Sequence, residues 1–95
     1  MRRATLWEIK KRTSIVTLIK EYIPEVAPAG RNYKARCPFH KEKTPSFMVS
    51  SEEQTFHCYG CTKEGDAFAF VMERKGLTYK EAAKKLALRV GLKPR

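Results

Sequence analysis

The sequence predicts an α+β fold, a small antiparallel β-sheet with helices before and after it. Three observations predict this. Apolar residues recur at helical spacing near both ends of the chain, they alternate with polar residues in its middle, and the middle also carries two close Cys/His pairs. A chain of 95 residues suits one domain, residues 1–95. Its hydrophobic fraction of 42% supports a thin core, for which a metal or disulfide staple is a useful supplement.

Residues 1–24 form the N-terminal helical segment. Leu6, Ile9, Val16, Ile19 and Ile23 lie near helical spacing, and Ile15 and Leu18 widen the stripe. Thr13 and Ser14 are both credible N-caps and break the segment. Pro24, Pro28 and Gly30 then mark a loop.

Residues 31–61 read as short strands. Tyr33, Ala35 and Cys37 alternate with Asn32, Lys34 and Arg36, a period of two. Phe47 and Val49 alternate with Ser46, Met48 and Ser50. Ser51 to Gln54 is a polar turn, and Thr55 to Cys58 returns as a strand. The sheet has about three or more strands, three being the simplest arrangement.

Residues 65–91 return to helix. Asp66 caps a helix over 67–75 that Gly76 ends, with Ala67, Phe68, Phe70 and Val71 as its buried stripe. Thr78 and Glu81 have the spacing of a capping box. The helix they open carries Ala82, Ala83, Leu86, Ala87 and Val90 on one side, and Gly91 closes it. Lys84, Lys85 and Arg89 suit its C-terminal half through the helix dipole, and Lys80, Lys84 and Lys85 read as a solvated face. Trp7, Tyr22, Phe39, Phe68 and Phe70 are expected in the core.

The two pairs are Cys37-Pro38-Phe39-His40 and, seventeen residues later, Cys58-Tyr59-Gly60-Cys61. Each sets two ligands three positions apart, so one tight turn can aim both at a point, and two such knuckles complete a tetrahedron. Thiolate and imidazole donors suit zinc. The fold is therefore expected to be a zinc ribbon holding one Zn2+ through Cys37, His40, Cys58 and Cys61. Four protein ligands leave no open position, so the ion is structural. A redox pair at Cys58 and Cys61 is the competing reading. It normally sits at a strand-to-helix turn in an α/β pattern, which is lacking here. His57 alternates away from the side that Cys58 serves, and reads as a neighbour of the site or a surface contact.

Composition narrows the function classes. Lys and Arg number 20 against 10 acids, a formal charge of +10 that favours polyanionic partners. No apolar run approaches the ~20 residues that span a bilayer. The basic N-terminus has no apolar stretch after it, so no secretory signal is read and a reducing cytoplasm is expected. Three cysteines, an odd number, argue against a pure disulfide framework. Membrane-surface binding is not expected either, because the helices show no clean basic-amphipathic division.

Arg31, Lys34, Arg36, Lys41 and Lys43 cluster beside the first knuckle against the single acid Glu42. By alternation Lys34 and Arg36 share a face with Asn32. Ser46, Met48, Thr55 and His57 can add polar and aromatic groups, although alternation alone leaves open which side each faces. Cations for phosphate beside groups that meet bases describe a single-strand platform.

Several of these motifs resemble a known family. Arg31-Asn32-Tyr33-Lys34 leads into Cys37-Pro38-Phe39-His40 and Glu42-Lys43-Thr44-Pro45-Ser46-Phe47. Phe56-His57-Cys58-Tyr59-Gly60-Cys61 and Gly65-Asp66-Ala67-Phe68 follow. Arg12-Thr13-Ser14-Ile15-Val16 and Leu77-Thr78-Tyr79-Lys80-Glu81-Ala82 extend the match over nearly the whole chain. The pattern looks like the N-terminal zinc-binding domain of bacterial DNA primase. The resemblance implies recognition of a short template sequence on single-stranded DNA, in support of RNA primer synthesis at replication. It implies a polymerase domain of a primase as partner, in cis or in trans, and a replicative helicase only through the rest of a primase. Arg31, Lys34, Lys43, Thr44, Pro45 and His57 are the contacts it implies.

Departures are small. Ser14 stands where aspartate is common, and Thr62 and Asp66 replace the usual glycine and asparagine. Asp66 puts a negative charge near the second knuckle, which would weaken a phosphate contact there. Asp66 is also the sole aspartate, so no Asp-x-Asp pair exists for two-metal nucleotidyl transfer, and this chain by itself is not expected to make primers. It reads as a primase fragment or a stand-alone relative. A zinc-ribbon protein-interaction adaptor without direct DNA binding is the alternative.

Overall fold

A computed structural model describes residues 5–39 and 46–92. The N-terminal segment is two helices, α1 (Leu6–Arg12) and α2 (Ile15–Tyr22). Thr5 and Glu8 form a capping box on α1, a start signal absent from the sequence expectation. The buried Thr13 hydroxyl donates to the Ile9 carbonyl at 2.7 Å, so it closes α1. Ser14 then caps α2 by accepting from the Thr17 N–H. The break falls at the two polar residues expected to make it.

Trp7 is a correction. It is 67% exposed, not in the core. On a seven-residue helix Ile9 is the residue turned inward, and Trp7 lies two positions away, on the opposite side. Lys11, one turn on, lies over its ring with Nζ 4.8 Å from the centroid.

Five strands follow in a simple antiparallel meander, β1 (Ala27–Ala29), β2 (Asn32–Ala35), β3 (Phe47–Ser50), β4 (Thr55–Cys58) and β5 (Glu64–Gly65). The stretch expected as loop before Gly30 is thus partly strand. β1 pairs with β2 through Ala27↔Lys34 and Ala29↔Asn32. It is an edge strand, where Pro28 is tolerated because the lost N–H costs no interior ladder bond. β5 is the other edge, two residues long, set by Phe56↔Gly65 and His57↔Glu64. Gly65 is required there: a Cβ would come 2.5 Å from the Cβ of Ala69.

Register assigns the two faces. Ala35, Phe47, Val49, Phe56 and Cys58 face inward and are buried with Ile15, Leu18 and Ile19 of α2 in one core. Asn32, Lys34, Met48, Ser50, Thr55 and His57 face the other way and are half-buried or exposed, so among the described residues this face is open.

The C-terminal helices are α3 (Ala67–Lys75) and α4 (Tyr79–Arg89). Asp66 caps α3, with Oδ1 accepting from the Ala69 N–H at 3.0 Å. Gly76 ends it at φ 66, where a side chain would be strained. Thr78 and Glu81 form the expected capping box of α4. Ala67, Phe68, Phe70, Val71, Ala82, Leu86 and Ala87 are buried, Ala83 and Val90 half-buried. Lys80, Lys84 and Lys85 stay in solvent. Among the described residues no helix is long and apolar enough to cross a membrane.

Candidate metal centre and nucleic-acid face

Strand ends bring three cysteines together. Cys37 lies two residues beyond β2, Cys58 is the last residue of β4, and Cys61 sits in the turn after it. The turn is held by backbone bonds, Thr62 N–H to the Cys58 carbonyl and Cys58 N–H to the Lys63 carbonyl, both 2.8 Å. Tyr59 N–H donates to the Ser46 carbonyl at 3.0 Å, which anchors the turn to the start of β3. Thr62, at φ 63, carries the left-handed bend. That is the physical reason a glycine suits this position and a β-branched residue does not.

The three Sγ atoms lie within 4.8 Å of one another, and Cys37 Sγ is 3.8 Å from Cys61 Sγ. A disulfide is ~2.05 Å long, and none of the three forms one. The edge of a tetrahedron with ~2.3 Å Zn–S bonds is about 3.8 Å, so this spacing fits a shared ion. The Phe39 N–H points at Cys37 Sγ at 3.4 Å, a donor that favours the thiolate. Without a cation the cluster is costly to ionise. Burial, reinforced by the Cys58 and Cys61 sulfurs, pushes the Cys37 thiol up to about 12, against the opposing effect of the Phe39 N–H. A divalent cation resolves this by replacing protons among the sulfurs. The donor set therefore fits zinc. His40 lies outside the described residues, and among the described residues no histidine or carboxylate joins the three cysteines.

Phe39 ties this centre to the core. Its ring centroid is 6.0 Å from Phe47, 5.9 Å from Phe56 and 5.7 Å from Phe70. Lys63 Nζ lies 5.9 Å from the centroid of the Phe39 ring and donates to Glu73 Oε2 at 3.0 Å. Glu73 first, then the Cys61 and Cys37 sulfurs, hold the Lys63 ammonium above its ordinary value. Ser46 is not on the open face, for its Oγ is 3.7 Å from Cys58 Sγ.

On the open face the pairing runs Lys34↔Met48, Met48↔His57 and His57↔Glu64, a single row across four strands. Arg31 is exposed in the β1–β2 turn, and Arg36 is exposed just past β2 with Glu25 at 3.7 Å. Lys41, Lys43, Thr44 and Pro45 lie outside the described residues. Asp66 does not project a bare charge: Oδ1 caps α3 and Oδ2 is 3.2 Å from Lys10 Nζ. Two residues of this face escaped the sequence reading. Tyr59, 71% exposed, sets its ring 4.4 Å from that of His57. Glu64 Oε2 is 2.9 Å from His57 Nδ1. Tyr59 was legible as an aromatic two residues after His57, whereas Glu64 had no signal, because β5 was not foreseen.

The comparisons with known proteins agree with this geometry. The CHC2 zinc finger family model matches residues 1–95. The DNA primase of Geobacillus stearothermophilus is 49% identical over 88 residues, 93% of this chain and 15% of that protein. The DNA primase of Neisseria meningitidis serogroup A is 51% identical over 85 residues, 90% of this chain and 14% of that protein. The crystal structure of the Aquifex aeolicus primase, zinc-binding and RNA polymerase domains, superposes with a TM-score of 0.89. It is 42% identical and covers 98% of this chain and 23% of that one. The chain thus spans about one seventh of the length of these curated relatives. With the cysteine cluster, the fold and these matches in agreement, the chain belongs to the CHC2 zinc finger family, the zinc-binding domains of DNA primases.

Proposed function

We propose that this chain is the zinc-dependent module by which a primase recognises single-stranded template DNA at the start of RNA primer synthesis. One Zn2+ is held by Cys37, His40, Cys58 and Cys61 and acts as a structural cross-link between the two knuckles. The unit is a single domain, residues 1–95. The observation that carries the DNA reading is the open face beside the cysteine cluster. There Lys34, Met48 and His57 stand in one cross-strand row, with Arg31 exposed in the β1–β2 turn and Arg36 exposed just past β2.

Such a face suits an unpaired strand. Lys34, Arg31 and Arg36, with Lys41, Lys43, Thr44 and Pro45 in the same stretch of sequence, take the phosphates, and Met48 and His57 meet bases. A flat sheet accepts splayed bases better than it enters a duplex groove. The only aspartate is spent on a helix cap and an ion pair. Polymerisation therefore belongs to a partner, a primase polymerase domain in cis or in trans, at work in the cytoplasm. A replicative helicase is reached only through that larger protein.

Fluorescence anisotropy with short single-stranded DNA, zinc present, tests this at two salt concentrations. Binding should weaken with salt, log K falling roughly 0.7 per phosphate for each decade of salt. Lys34→Ala should lower the slope by about one contact. Binding absent at low salt would leave the interaction-adaptor reading.

A further inference from the structure

The row on the open face ends in a carboxylate. Lys34 stands on β2, Met48 on β3, His57 on β4 and Glu64 on the edge strand β5. With strands ~4.8 Å apart, cation and anion are about 14 Å from each other. A carboxylate on a surface that meets phosphates works against binding, unless it faces the other side of the strand, where the bases are.

Glu64 is also committed in a particular way. His57 Nδ1 lies 2.9 Å from its Oε2. An ionised carboxylate only accepts, so Nδ1 carries the hydrogen, and in the neutral ring Nε2 is left as an acceptor. Glu64 Oε1 is not engaged by His57. Beside them stands the exposed Tyr59 ring, inclined 60° to the imidazole. Two acceptors and a flat ring thus meet at the open edge of the sheet.

We propose that His57, Glu64 and Tyr59 form a base-reading corner selective for bases with an exocyclic amino group, cytosine above thymine. The proposal rests on the single-strand reading and adds discrimination to it. Tyr59 is a stacking shelf, indifferent to base identity because every base has a π-face. Glu64 Oε1 and His57 Nε2 accept from the base edge, which is accessible in an unpaired strand. Cytosine offers its N4 amino group there, two N–H donors for the two acceptors, whereas thymine offers the single N3–H donor beside the O4 acceptor. With thymine one of the two acceptors can take N3–H, but the other faces O4, and acceptor against acceptor leaves both desolvated and unpaired, which is unfavourable. Glu64 has a second role as a positioning residue, since its bond to Nδ1 sets the tautomer and orientation of His57. Lys34 at the far end keeps the phosphates away from the carboxylate.

The test compares oligo-dC with oligo-dT of equal length against the zinc-loaded 95-residue chain. Oligo-dC should bind roughly tenfold tighter, the scale of one good side-chain–base pair. Glu64→Gln should bring the ratio to about twofold or less, because an amide can also donate to O4. Glu64→Asp should keep the direction of the preference. Tyr59→Ala should weaken both oligonucleotides by a similar factor, about tenfold, and leave the ratio. Zinc content and circular dichroism identify variants that remain folded. Equal binding of the two oligonucleotides by the wild type, or an unchanged ratio in Glu64→Gln, overturns the base-reading corner and leaves the single-strand reading standing. No salt-sensitive binding to either overturns both.

Discussion

The helical side of the molecule and its cysteine end meet the same requirement, a chain that must not fray, by different chemistry. On the helical side every start is capped by a neighbouring side chain: Thr5, Ser14, Asp66 and Thr78. α4 is further tied to α2 where Arg89 forks onto Glu21. At the cysteine end the strands run out into turns. There three sulfurs lie within 4.8 Å of one another, a spacing that fits a shared cation. One side is stabilised by many contributions of about a kilocalorie each, the other, on the reading proposed above, by one large term, the bound zinc. Phe39, Phe47, Phe56 and Phe70 join them, with neighbouring ring centroids 5.4 to 6.3 Å apart.

Removing the large term should have the largest effect. Zinc binding in small finger domains is worth about 10–16 kcal/mol, more than the ~5–15 kcal/mol of a typical fold. Chelation, or Cys58→Ser, should therefore abolish cooperative thermal melting followed by circular dichroism. An unchanged melting curve would end the idea that metal holds the ribbon. Acid should act in the same direction. Metal binding displaces protons from thiols, and in the metal-free cluster Cys37 holds its own up to about 12, so zinc affinity should fall steadily as pH is lowered.

The junction between the two regions comes next. Phe70→Ala leaves a hole against Phe39, Phe56 and Tyr22 and should cost about 3–5 kcal/mol in denaturant unfolding. If the regions are coupled through these rings, the variant should also release zinc to a chromogenic chelator faster than the wild type. An unchanged release rate would show that the knuckles hold independently.

Local terms should be smaller. Thr78→Ala removes a cap and should cost about 1 kcal/mol. Its partner Glu81 is held below its ordinary carboxylate value by the Thr78 backbone N–H and hydroxyl. The sign follows: the contribution is present above the unfolded value, about 4.5, and is lost as pH falls through the lower folded value. Glu81→Gln should remove that part of the acid dependence, read as melting temperature against pH. Thr62→Gly should stabilise by about 0.5 kcal/mol. It relieves the left-handed strain at φ 63, less the backbone entropy that glycine loses.

What the sequence by itself determined is what depends on residues a few positions apart. The caps at Ser14, Asp66 and Thr78, the stop at Gly76, and the strand alternation around Phe47 and Phe56 are of this kind. So is the close spacing of Cys58 and Cys61, which lets one turn carry both. Tertiary structure decided the rest. β1 and β5, three and two residues long, exist only because a neighbouring strand completes their hydrogen bonds. Trp7 is apolar by type yet exposed, because a short helix has a single inward position and Ile9 occupies it. Lys34, Met48, His57 and Glu64 are up to thirty residues apart in sequence. They share one row only through register, which no local pattern can supply.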